Sequence, residues 1–166
     1  MCCAGDVSSA VVLMRVEAEP IHLPTGTVTF MFTDIEGSTR LLADAGDAAY
    51  SELLEAHHAL MREAITSGGG VEVGTEGDSF FAVFVDPLAA VVTASLIQRR
   101  LSDPAWKVSM PMRVRIGVHT GHGVLGADDY VGVDVNRAHR ISDAGDGGQV
   151  VVSEETANLV EGRLPT

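Results

Sequence analysis

The stretch Thr27-Val28-Thr29-Phe30-Met31-Phe32-Thr33-Asp34-Ile35-Glu36-Gly37-Ser38-Thr39 decides how this chain is read. Thr27 to Thr33 is apolar and β-prone, the pattern of a buried strand. The strand delivers Asp34 to its end, and a loop of small residues follows. A second aspartate has the same setting in Gly77-Asp78-Ser79-Phe80-Phe81, on another strand-like run. Two aspartates at one sheet edge make a hard, all-oxygen site. Mg²⁺ or Mn²⁺ suits such ligands, because Mg²⁺ binds through one or two carboxylates plus substrate phosphates. Either aspartate alone reads better as a turn former or helix cap. The metal reading therefore depends on the fold bringing them together.

The rest of the chain supplies that fold. Tyr50, Leu53, Leu54, His57, Leu60, Met61, Ala64 and Ile65 recur at the spacing of one helical face, in a long helix stopped by Gly68-Gly69-Gly70. Val71 to Val73 and Phe80 to Val85 read as a hairpin around a Gly-rich turn. Asp86 caps the next helix, with Pro87 at its first position, and its apolar stretch runs to Leu101. Met112 to His119 alternates, with Val114, Ile116 and Val118 on one face and Arg113 and Arg115 on the other. Gly121 to Gly126 reads as a short return strand, 132–144 as a helix and 149–152 as a strand. Ser153 caps a last short helix. The order is β-α-β-β-α-β, then β-α-β-α. This is an α+β chain with a ferredoxin-like core. In that topology the first and third strands are neighbours, which sets Asp34 beside Asp78.

At 166 residues and 46% hydrophobic content the chain reads as one folded domain over residues 25–166, after an N-terminal extension over 1–24. A formal net charge of −12 opposes binding of nucleic acid through a basic surface. A polyanionic nucleotide remains open to it if metal ions neutralise the site. The two cysteines, Cys2 and Cys3, are adjacent and form no disulfide scaffold. Ala10 to Met14 is too short to span a bilayer, so the chain reads as cytoplasmic with no membrane partner.

Three further segments could carry chemistry. Gly37, Ser38 and Thr39 precede a helical run, where backbone N–H groups could meet a phosphate; an ordinary N-cap explains them equally well. The pattern GxxxxGK[ST] is absent, so this is no P-loop. Asn136 and Arg140 are four apart on one helix face. A fork of donors beside an amide suits a ribose oxygen and a phosphoryl group in transit, although a polar helix face is the commoner explanation. His119 and His122 are three apart on a strand and point to opposite faces, which disfavours zinc. Asp143 to Gly147 reads as a Gly-rich turn, since glycines remove the ligands of a calcium loop.

Phe32-Thr33-Asp34-Ile35-Glu36-Gly37-Ser38-Thr39, Glu76-Gly77-Asp78-Ser79-Phe80 and Val135-Asn136-Arg137-Ala138-His139-Arg140 occur in that order. Together they resemble the catalytic domain of class III adenylate/guanylate cyclases of the actinobacterial type, over about Gly26 to Leu164. The resemblance implies a head-to-tail homodimer with active sites at the interface. It implies that Asp34 and Asp78 bind two Mg²⁺ or Mn²⁺ ions, with the Ile35 carbonyl as a further ligand. Asn136 matches the ribose-orienting asparagine and Arg140 the arginine that stabilises the transition state. Asp129 falls where the family places its base-reading aspartate. One chain would supply the metals, its partner Asp129, Asn136 and Arg140. Two positions depart from the family. Its base-selecting lysine is here Gly74, and the chain ends at Thr166, before the segment that carries a phosphate-binding lysine. The implied reaction converts a purine nucleoside triphosphate, ATP ahead of GTP, to a 3′,5′-cyclic nucleotide and pyrophosphate. The alternative is a degenerate domain that binds nucleotide or a regulatory partner with little or no turnover. A diguanylate cyclase fits less well, because Gly74-Thr75-Glu76-Gly77-Asp78 is not a GGDEF turn.

Overall fold

Strand β1, Gly26–Ile35, runs through the middle of the sheet and carries both cores on its two faces. The computed structural model describes residues 22–103, 110–127 and 129–164. After β1 come α1 (Ser38–Ala45), α2 (Asp47–Ser67), β2 (Val71–Glu76), β3 (Ser79–Phe84) and α3 (Pro87–Leu101). Then follow β4 (Val114–Leu125), β5 (Tyr130–Val131), α4 (Val133–Asp143), β6 (Val150–Val152) and α5 (Glu154–Val160). The sheet order is β2-β3-β1-β4-β5, with β6 parallel to β4. This is the expected α+β architecture, with the first and third strands paired.

Side chains alternate across a strand. Met31 and Ile35 join Leu53, Leu60, Met61, Ala90, Ala94 and Ile97 under α2 and α3. Val28 and Phe30 join Phe81, Val83, Tyr130 and Ala138 under α4. Each buried Val, Leu, Ile, Phe or Met side chain among them contributes about 1.5–3 kcal/mol by leaving water. Helix α4 lies so close on β4 that side chains there must be absent. A Cβ at Gly117 would stand 2.3 Å from the Ser142 backbone nitrogen, and one at Gly121 2.4 Å from the Asp134 carboxyl carbon.

Three local expectations are corrected. The long helix is preceded by a separate short helix, because Gly46 adopts φ 79 between α1 and α2. Gly121 to Gly126 is no return strand: β4 runs on to Leu125, and the return is β5. Neither Ser38 nor Thr39 caps α1. Its N-cap is Gly37 at φ 66, with no side-chain cap bond. Most of the expected extension, residues 1–21, and both cysteines lie outside the described residues. Leu23 packs on the core, and the Tyr130 hydroxyl donates to the Pro24 carbonyl. No helix among the described residues is long and apolar enough to cross a membrane.

Candidate active site

Antiparallel pairing sets Thr33 opposite Phe80, so the end of β1 meets the turn Gly77-Asp78 that opens β3. Gly77 takes φ 59, a left-handed conformation that glycine adopts without cost. Asp78 is half-buried, and its Oδ2 accepts the backbone N–H of Ile35 at 2.8 Å. The second aspartate is thus tied to the residue that follows the first. His58 on α2 holds the other side of the turn, its Nε2 2.8 Å from the Gly77 carbonyl. Tyr50, also on α2, has its phenol pushed up by burial and by the charge of Asp78.

Asp34 has a partner that the sequence reading did not identify. Arg115 stands directly opposite it on β4. Its Nε donates to Asp34 Oδ1 at 2.5 Å and its Nη2 to Oδ2 at 2.7 Å, a bidentate fork. The hydrogen bond to Asp34, opposed by burial, pushes the guanidinium pKa up. The alternation of Arg113 and Arg115 along β4 was visible in sequence; the register that sets Arg115 across from Asp34 was not.

Among the described residues no three His, Cys, Asp or Glu side chains gather to hold a metal. The donors present are two carboxylates and the Ile35 carbonyl. All are hard oxygens, and they fit a Mg²⁺ or Mn²⁺ ion whose remaining positions are filled by water and phosphate. A cation entering here must share or displace Arg115.

Helix α4 separates the other candidates onto different surfaces. Asn136 and Arg140 line one concavity of about 530 Å³ with Val133, Ile141 and Val151. Neither Asp34 nor Asp78 lines it. The Arg140 guanidinium forms no ion pair among the described residues, whereas its neighbour Arg137 reaches Glu155 at 2.7 Å. Asp134 fixes the start of α4, accepting the His122 backbone N–H at 2.7 Å. That bond, ahead of the opposing desolvation, lowers its pKa. His119 is buried and engaged at Ser153, 2.9 Å, a structural position.

Asp129 and Gly74 meet in a second cleft of about 390 Å³, beside Phe32, Phe81 and His139. Gly74 follows a register shift in the β2–β3 ladder. It does not have a positive φ, and a Cβ there would meet nothing within 4 Å. Gly37 is the N-cap of α1, and Ser38 and Thr39 open its first turn. They line neither cleft.

A family model described as the adenylate and guanylate cyclase catalytic domain matches residues 22–164. An uncharacterised protein of Mycobacterium tuberculosis is 41% identical over 144 residues, 86% of this chain and 48% of that protein. The adenylate cyclase of Lachancea kluyveri is 36% identical over 87% of this chain and 9% of its own length. The chain thus spans about half, or far less, of the relatives it matches. Among solved structures, an adenylate cyclase from Trypanosoma brucei in its monomeric state superposes with a TM-score of 0.75 at 30% identity, covering 89% of this chain and 81% of that one. The adenylyl cyclase CyaB from P. aeruginosa gives 0.72 at 28% identity, covering 83% and 82%.

Proposed function

The chain belongs to the adenylate and guanylate cyclase catalytic domain family, and from that premise we propose that it cyclises a purine nucleoside triphosphate, ATP in preference to GTP. The observation that carries the proposal is the tie between the two aspartates: Asp78 accepts the N–H of Ile35, the residue after Asp34. Asp34, Asp78 and the Ile35 carbonyl would hold divalent ions, whose chemistry when bound would be activation of the ribose 3′-hydroxyl and neutralisation of the triphosphate. Asn136 hydrogen-bonds the ribose and so orients the attacking oxygen. Arg140, with no ion pair of its own among the described residues, stabilises charge on the transferring phosphoryl group. Asp129 accepts from the base. Gly37, Ser38 and Thr39 offer backbone N–H groups to the phosphates. The fungal relative named adenylate cyclase supports ATP as the substrate.

Asn136 and Arg140 line a concavity that contains neither aspartate. That separation supports an active site shared between two chains in a head-to-tail dimer, each giving one half. Residues 25–166 form the catalytic unit and 1–24 an extension of it. A second reading, a domain that binds nucleotide and turns it over weakly, is favoured by the closure of Asp34 on Arg115. The deciding experiment follows cyclic nucleotide and pyrophosphate from ATP and GTP with Mn²⁺, at rising protein concentration. Specific activity should rise with concentration, and mixing Asp34→Ala with Arg140→Ala chains should restore activity. Folded mutants that stay inactive when mixed would remove the shared site. Nucleotide binding without product would leave the second reading.

A further inference from the structure

We propose that His139 reads the base in this chain, in the place that Gly74 leaves without a side chain, and that His139 and Asp129 together select adenine. The inference rests on the cyclase reading above and names the selectivity of that site. Gly74, Asp129 and His139 line one cleft. Phe32 and Phe81 stack in its wall, ring centroids 4.2 Å apart and nearly parallel at 10°. Such a wall is flat and apolar, as a purine requires. On β2, Gly74 offers only backbone, and the side chains that line the cleft from that strand are Thr75 and Glu76.

His139 comes from α4 and meets the edge of Phe32 at 5.3 Å between ring centroids. Its Nδ1 lies 3.1 Å from Asp143 Oδ2, one turn further along the helix. A carboxylate only accepts, so Nδ1 carries the hydrogen, and in the neutral ring Nε2 is left as an acceptor. In addition to the Glu76 carboxylate and the Thr75 hydroxyl of β2, the cleft then holds a pair of acceptors, the Asp129 carboxylate and His139 Nε2. Adenine carries an amine at ring position 6, with one hydrogen for each. Guanine carries a carbonyl there, which both acceptors repel. Asp143 is the residue that sets the tautomer.

The test measures binding of 3′-deoxy-ATP and 3′-deoxy-GTP with Mn²⁺. These analogues lack the attacking oxygen, so no turnover intrudes. The intact chain should favour the adenine analogue. His139→Ala should cut that preference about five- to tenfold, the loss of one good hydrogen bond. His139→Asn, whose amide oxygen is again an acceptor, should recover part of it, and Asp143→Asn should weaken it. A merely structural His139–Asp143 pair would change the melting temperature and leave the base ratio alone. An unchanged ratio in folded, nucleotide-binding His139→Ala overturns the inference and leaves the cyclase reading standing. So does a fall in guanine binding alone. Failure of the intact chain to bind either analogue overturns both.

Discussion

Replacing Arg115 with glutamine should tighten Mn²⁺ binding to the nucleotide-free protein. Arg115 and Asp34 are 29% and 26% exposed, so their pair lies between a surface bridge and a buried one. At about 4 Å and an effective dielectric near 20, two unit charges attract by about 4 kcal/mol. Desolvation offsets part of this. Exposed pairs measure up to about 1 kcal/mol, while breaking a buried one costs about 3–5 kcal/mol. An intermediate value of about 1–2 kcal/mol is what an entering cation must overcome, which corresponds to about 5- to 30-fold in affinity.

Free Mn²⁺ followed by electron paramagnetic resonance at low ionic strength gives the affinity directly. Asp34→Asn placed on top of Arg115→Gln should abolish the gain, since the carboxylate released by the first change is removed by the second. The single mutant should also be less stable without metal, because Asp34 then loses its bidentate partner, and should regain stability as Mn²⁺ is added. Equal or weaker Mn²⁺ binding by a folded Arg115→Gln protein would refute the idea that the guanidinium and the ion compete for Asp34.

Gly74→Lys should be tolerated, because residue 74 lacks a positive φ and its Cβ would stand in open space; its melting temperature should hold while competition assays show ATP binding more tightly. Gly117→Ala should cost about 1–3 kcal/mol in urea unfolding, since the new Cβ drives into the backbone of Ser142. His57 is fully buried on α2, neither ring nitrogen has a hydrogen-bond partner among the described residues, and burial, followed by the charge of His58, lowers its pKa from 6.5 to about 4. Below about pH 6.5 the unfolded chain binds a proton there that the folded chain refuses until about pH 4, so stability falls by about 3 kcal/mol across that window. His57→Leu should remove that part of the slope, read from unfolding free energies at pH 7 and 4.5.

The elements that sequence reading placed well are those whose period is decided locally. Met31 and Ile35 alternate with Phe30 and Phe32 because each face of β1 meets its own core, and that alternation is written in the residue types. The same holds for α2, whose buried residues keep the helical spacing. The errors came where one glycine changes direction. Gly46 splits α1 from α2 through a positive φ that no neighbouring residue announces. Gly121 and Gly123 were read as part of a separate return strand, yet they are bare positions in the continuous strand β4, required by Asp134 and by Val28 and Tyr130 packed against them. A glycine tolerates both a turn and a close approach, so its local sequence cannot distinguish them.

The site divides along the same line. That Asp78 would lie beside the end of β1 was legible, because Asp34 and Asp78 each sit in a conspicuous strand-end setting and the topology makes their strands neighbours. Arg115 was hidden because its role depends on register: shifting β4 by one residue would turn it to the other face and put Val114 or Ile116 opposite Asp34. His139 was hidden for a different reason. On α4 it lies between Asn136 and Arg140 in sequence, yet it lines the cleft of Asp129 and Gly74, while they line the other. A helix resting on bare glycines of β4 exposes residues on both flanks. One short segment therefore lines both concavities. The spacing of residues 136, 139 and 140 alone does not tell the two apart; the depth at which α4 sits on Gly117 does.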